Sequence, residues 1–219
     1  MTRQSINEAF AALIHPGQKV PFIRCAPVWA RHLLDEIVDS PRGVFRHIVI
    51  DAPPGYSQRF WSVGAMLALV VGGDKHGAQY GLYAPTIVCA KGWLSVAKDI
   101  LGGYEPEATE KVGLAYRKDR GFLLNRTTRA AFRPAAPKNL TAGVYWTGVL
   151  APNDPGAAER FRTLPDTHRP RFVIEPRTYE ITAENHTEVV RGHTRRVRID
   201  THDHAADGEI TTRRFEVFA

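Results

Sequence analysis

The stretch HIVIDAPPGYSQRFWSVGAM (residues 47–66) decides the fold. The β-branched run VFRHIVID, Val44 to Asp51, reads as a short buried strand. Pro53, Pro54 and Gly55 turn the chain, and over residues 59–71 Phe60, Val63, Leu67 and Val70 recur on one helical face. Strand, tight turn and helix is the layout of a phosphate-binding loop, in which backbone amides converge and a helix N-terminus faces the anion. A working loop also needs a glycine for close approach, a lysine for the β and γ phosphates and a hydroxyl for magnesium. With Gly55 as the first glycine of a PPGxGK[ST] pattern, those three positions hold Ser57, Gln58 and Arg59. The candidate anion-binding residues are therefore Gly55, Tyr56, Ser57, Gln58 and Arg59, in a loop without its lysine and its metal hydroxyl. Arg59 offers a cation, but a planar guanidinium does not replace a compact ammonium. Pro-Pro-Gly after a strand is also an ordinary tight turn, and both readings stand at this point.

The same alternation continues on either side. Pro27 opens a helix in which Trp29, Leu33 and Ile37 recur at i, i+4 and i+8, with Leu34 and Val38 beside them. Ser40-Pro41-Arg42-Gly43 ends it. After residue 71, Tyr80 to Tyr83 fits a strand and Ile87 to Leu101 a helix with Trp93, Val96 and Ile100 on one side. This rhythm predicts an α/β fold, a P-loop-like parallel sheet with flanking helices. Trp29, Leu33, Ile37, Ile48, Ile50, Val63, Leu67, Val96 and Ile100 are its expected core.

From about residue 120 the pattern changes. Phe122–Leu124 and Ala130–Phe132 read as a strand pair, and Val144–Leu150 as a buried strand. APNDPG (151–156) is punctuation. Beyond it, Arg171–Ile174, Thr178–Thr182, Glu188–Arg191, Arg195–Asp200 and Glu209–Phe218 are short strand candidates separated by EP, AEN, GH and HAADG turns. The expected division is a P-loop-like α/β domain over 1–155 and a β-rich, antiparallel C-terminal subdomain over 156–219.

Composition narrows the function. In 219 residues, 43% hydrophobic and 24% charged, a real core can form, which excludes disordered and collagen-like chains. The longest apolar run, Val63 to Val71, is well short of the ~20 residues of a bilayer helix. No signal-peptide pattern opens the sequence, and two cysteines, Cys25 and Cys89, suit a reducing compartment. Cys89 follows Ile87 and Val88 and is expected to be buried. The net charge is +6, and residues 117–138 carry seven basic side chains against one acidic, a surplus equal to the whole net charge. Arg117, Lys118, Arg120, Arg126, Arg129, Arg133 and Lys138, interleaved with Phe122 and Phe132 as stacking platforms, are the candidate nucleic-acid-binding residues. A solvated hairpin whose arginines pair with acids is the competing reading.

Residues 15–100 resemble the N-terminal ATPase domain of phage large terminases, the DNA-packaging motors. The resemblance rests on the order PVWARHLLDEIV, HIVID, APPGYSQRF, WSVGAMLALV, YGLYAPT and KGWLSVAKDIL, against a family loop of the type APPRHGKS. It implies a P-loop fold, ATP and magnesium as ligands, and nucleic acid or phage proteins as partners. The chain departs from the family where activity lives. The lysine is missing, and the strand expected to end in Asp-Glu is VYWTGVLAPNDP, with only Asp154 after two helix-breaking residues. The complete motor also carries a nuclease domain, which this sequence does not cover.

Two further clusters draw attention. Asp200, His202 and His204 alternate, so on a strand they share a face, as ligands of one ion do; a polar hairpin turn explains the same residues. His202 and His204 are the candidate metal ligands. Arg191, Arg195, Arg196 and Arg198 fit either a contact surface or a charge-defended edge strand.

The first reading is a phage-type nucleic-acid-associated protein on a degenerate terminase-like fold, without efficient ATP hydrolysis. It would self-associate and work in the host cytoplasm or the virion. The alternative is a non-catalytic virion structural or assembly protein, and a metal-dependent hydrolase built on His202 and His204 comes third. No catalytic residue and no firm cofactor follow from the residues; ATP with magnesium is what an intact loop would take.

Overall fold

The strand that opens the deciding stretch is β1 (Phe45–Ala52), and the helix that closes it is α4 (Gln58–Gly72). In a computed structural model, the structure describes residues 3–38, 45–52, 58–73, 75–104, 106–140, 144–152, 154, 156–165, 169–178, 197–202 and 210–217. Ahead of β1 lie α1 (Arg3–Ala12), α2 (Phe22–Cys25) and α3 (Val28–Val38). After α4 come β2 (Gln79–Tyr83), α5 (Ile87–Ile100), α6 (Pro106–Lys111), β3 (Leu114–Arg117), β4 (Phe122–Asn125) and β5 (Ala131–Ala135). The chain continues through β6 (Trp146–Leu150), α7 (Ala157–Arg162), β7 (Phe172–Thr178), β8 (Val197–His202) and β9 (Ile210–Val217).

The described strands form one sheet in the order β3-β4-β5-β2-β6-β7-β1-β9-β8. From β5 to β9 every neighbouring pair is parallel, and antiparallel pairing is confined to β3–β4–β5 at one edge and β8–β9 at the other. This is the expected α/β class, a largely parallel sheet with flanking helices. The chain after residue 155 is woven into it. β7 inserts between β6 and β1, pairing parallel with both, and β9 extends the parallel run, so the antiparallel expectation holds for β8–β9 alone. The expected EP turn is also absent, because Glu175 and Pro176 sit inside β7, with Pro176 opposite Ile50. Periodicity locates a strand but carries no information on the direction of its partner. Of the candidate Thr178–Thr182 only Thr178 is described, as the end of β7; its other residues and the candidate Glu188–Arg191 lie outside the described residues.

Both sheet faces carry core. One contains Ile48, Ile50 and Ile174 with α1, α3, α4 and α5; the other contains Phe45, Tyr83, Val149 and Val173 with Phe161 of α7. All of the expected core residues are buried except Val96, which is partly buried against the main cluster. α4 goes further than its expected single face: every residue from Trp61 to Val70 is buried. α5 uses a neighbouring stripe, Ala90, Leu94 and Ala97 with Ile100, leaving Trp93 at the margin. Cys89, expected inside, is exposed on the first turn of α5, where its N–H donates to the N-cap Thr86 Oγ1 at 3.2 Å.

Close approach between β6 and β7 depends on Gly148, where a Cβ would lie 2.0 Å from Phe172 Cζ. Gly148→Ala is therefore expected to cost about 1–3 kcal/mol by overpacking. Ile50→Ala, in a strand paired on both sides, should cost about 2–5 kcal/mol, read as a lowered midpoint in a denaturant titration.

Candidate nucleic-acid interface

Because β1, β7, β6 and β2 run parallel, their C-terminal ends share one edge of the sheet, where ligands of open α/β sheets bind. The loop from β1 to α4 leaves from this edge. Gly55, Tyr56 and Ser57 lie outside the described residues. Gln58 begins α4 and is buried. Arg59, the nearest cation, turns across to α5: its guanidinium carbon sits 3.9 Å from the centroid of the Trp93 ring, and Nη2 donates to the Gly92 carbonyl at 3.4 Å. Burial against this surface lowers its pKa. Arg59 thus fastens α4 to α5 through a cation–π contact.

Asp154, the first acid after β6, is committed as well. Its carboxylate accepts from the Arg160 guanidinium and, at 3.2 Å, from the Gly156 N–H. Arg160 Nε also donates to the Tyr83 hydroxyl at 3.2 Å. This network closes the turn into α7 and neutralises the carboxylate.

A third ionic group lies within the sheet, and no local pattern in the sequence announces it. Glu175 on β7 is fully buried; His47 Nε2 on β1 lies 2.9 Å from its Oε2, and Arg177 Nε donates to Oε1. Burial on its own raises the Glu175 pKa, but the hydrogen bonds from His47 and Arg177, with their charges, outweigh it and hold the carboxyl below its ordinary value.

The basic segment folds as β3, β4, β5 and their turns, and the fold sorts its cations. Arg126 is paired with Glu110 at 3.0 Å. Lys138 is exposed in a 3-10 turn after β5. The other five converge. Arg117, Arg120, Arg129 and Arg133 line one hollow of about 340 Å³, and Lys118 and Arg120 line a second of about 320 Å³. The second also takes Lys91 and Lys98 from α5, two cations outside the basic run. They stand seven apart, two helical turns, so they share a face, a spacing that the sequence contained. Among the described residues Asp119 is the only acid lining the second hollow, with its carboxylate oxygens 3.6 Å from Arg117 Nε and Arg120 Nε across exposed, screened surface.

The expected aromatic platforms are not open. Phe132 is fully buried in the main core, and the ring of Phe122 lies beneath Arg133, whose guanidinium carbon is 4.6 Å from its centroid. Alternation explains both: Phe132 pairs with Leu123 on the core side of the sheet, while Arg133 follows on the other. His202 ends β8, and its proposed partner His204 lies outside the described residues. Among the described residues no three His, Cys, Asp or Glu side chains group as metal ligands do, and no helix is long and apolar enough to cross a membrane.

No family model matches the chain, and no curated protein does. Among solved structures, the chain is similar to the large terminase of bacteriophage HK97, at a TM-score of 0.61 and 14% identity, over 81% of this chain and 38% of that one. The chain thus spans well under half the length of that terminase, and what the two share is the fold.

The buried carboxylate has a testable signature. Glu175→Gln should lower stability by about 1–3 kcal/mol at neutral pH, since His47 and Arg177 keep their places without a charged acceptor. A depressed pKa gives stability that is present above the ordinary value of 4.5 and is lost as pH falls through the folded value. Denaturant titrations should therefore show a steeper acid-side fall in the parent chain than in Glu175→Gln.

Proposed function

We propose that this chain is a phage-type nucleic-acid-associated protein that uses a terminase-like α/β fold to present a cationic groove, and that it does not hydrolyse ATP efficiently. One observation carries the reading: Lys91 and Lys98 of α5 meet Lys118 and Arg120 of the β3–β4 turn around one hollow, and Arg120 continues into a second with Arg117, Arg129 and Arg133. Cations from separate elements that converge with one acid among them suit a run of phosphates. With Phe132 in the core and Phe122 covered, the groove reads charge and spacing and offers no stacking surface to bases.

The nucleotide side of the reading follows from chemistry. Phosphoryl transfer works by positioning and neutralising charge on the β and γ phosphates. Gln58 and Arg59 stand where the lysine and hydroxyl belong, Arg59 rests on Trp93, and Asp154 is bound by Arg160. Host cytoplasm or virion is the proposed location, and DNA packaging or assembly the proposed setting. The division near residue 155 belongs to the same proposal only as a description of the chain, since β6 and β7 on either side of it are hydrogen-bonded neighbours.

Nucleic-acid affinity should be indifferent to sequence and fall steeply with salt. Replacing Lys91, Lys98 and Lys118 by Gln should lower the slope of log K against log salt by about 0.9 for each duplex phosphate that is no longer neutralised. Unchanged affinity with collapsed self-association would assign the groove to contacts between subunits and favour the virion assembly reading. The purified protein should show no steady magnesium-dependent ATP turnover; turnover abolished by replacing Gln58 and Arg59 would refute that half of the proposal.

A further inference from the structure

Arg133 stands apart from the other cations of the groove. It projects from β5 over the Phe122 ring of β4, its guanidinium carbon 4.6 Å from the centroid, and Phe122 is itself only 8% exposed, so the cation rests on a fixed support. Its Nε is buried and has no hydrogen-bond partner among the described residues. Burial first, and the nearby charge of Arg120 second, push its pKa down. Arg120, Phe122 and Arg133 are shared by two hollows of about 350 and 340 Å³; Lys91 joins the first, Arg117 and Arg129 the second, and among the described residues no carboxylate lines either. The nearest described acid, Asp119, stays 3.6 Å from Arg120 Nε, beyond hydrogen-bond reach, and is 59% exposed.

Two like charges held together around a partly desolvated guanidinium raise the free energy of the empty site, and an oxyanion relieves both terms at once. A guanidinium can make two parallel N–H donations, the geometry that phosphate oxygens accept. A second arginine and Lys91 around the same hollow favour a phosphate, whose several oxygens accept from more than one cation, over a single carboxylate.

We propose that Arg120 and Arg133, with Phe122 as the platform beneath Arg133, form a seat for one phosphate group. The seat deepens the nucleic-acid reading, on which only the source of the phosphate rests: a backbone phosphodiester or a free phosphate. In either case the seat is an anchor that fixes register in the groove, while the surrounding lysines add screened, salt-sensitive attraction.

The test uses the full chain and inorganic phosphate at constant ionic strength, with chloride as the reference. Melting temperature should rise saturably with phosphate, and calorimetric titration should give a binding isotherm. Arg133→Gln and Arg120→Gln should each weaken it by about tenfold or more. Arg126→Gln, whose arginine is held by Glu110, should leave it unchanged. Arg120 is 73% exposed, so its variant folds whatever Arg133→Gln does to β5. A second arm adds a short DNA duplex. Displacement of phosphate by the duplex, with duplex affinity weakened about tenfold in Arg133→Gln and kept in Arg126→Gln, supports the seat with a phosphodiester source. Saturable phosphate binding that the duplex does not displace supports the seat with a free phosphate source and counts against the nucleic-acid reading. Absence of saturable phosphate binding overturns the seat, even where duplex binding with a normal salt slope upholds the groove.

Discussion

The burial of α4 is the constraint on which the rest of the molecule depends. A helix with no polar face and no charge from Phe60 to Gly72 must be enclosed nearly all round. α1, α3 and α5 pack against it from the helical layer, and the sheet closes the remaining side. Phe22 meets the helix at Gly64, where a Cβ would sit 2.5 Å from Phe22 Cε2. The aromatic group around its start, Phe22, Phe60, Trp61 and His15, holds ring centroids 4.9 to 6.0 Å apart, so the segment before α2 is pinned to the same helix.

Enclosure of α4 also fixes the groove. The last carbonyls of a buried helix need donors, and Asn125 of β4 supplies them: its Nδ2 donates to the carbonyls of Val70 and Val71 at 2.9 and 3.2 Å. The other half of the same amide accepts from the N–H groups of Thr127 and Thr128, both at 2.9 Å. One side chain therefore satisfies the helix terminus and shapes the β4–β5 turn that carries Arg126 and Arg129. At the opposite end of α4, Arg59 lies across Trp93 and ties in α5, which brings Lys91 and Lys98 to the hairpin. The groove is built from elements whose positions the core helix dictates.

Much of this is legible in the residues. The β-branched run before Pro53 marks β1, and the spacing of Trp29, Leu33 and Ile37 marks α3. What escapes is long-range. Lys91 stands well before the basic run and joins it only in space. Glu175 reads as part of a turn because it precedes Pro176, and nothing local names His47, 128 positions away, as its partner. α1 escapes for a different reason: Ile6, Phe10 and Leu13 keep helical spacing, but only Ile6 and Phe10 of these large apolar residues fall within so short a helix, and the positions between them are small or polar. The stacking role expected of Phe132 fails on register: one step along β5 exchanges core for surface.

Arg129 carries a consequence for how this surface endures. It holds φ at +60°, in the turn where its N–H donates to the Asn125 carbonyl at 3.1 Å. An L side chain there is strained by about 1 kcal/mol or more, and a glycine or asparagine is not. Selection for a sturdier fold alone would exchange this arginine for glycine and thin the charge of the groove as it did so. Stability and the charge of this surface thus pull in opposite directions at a single backbone position.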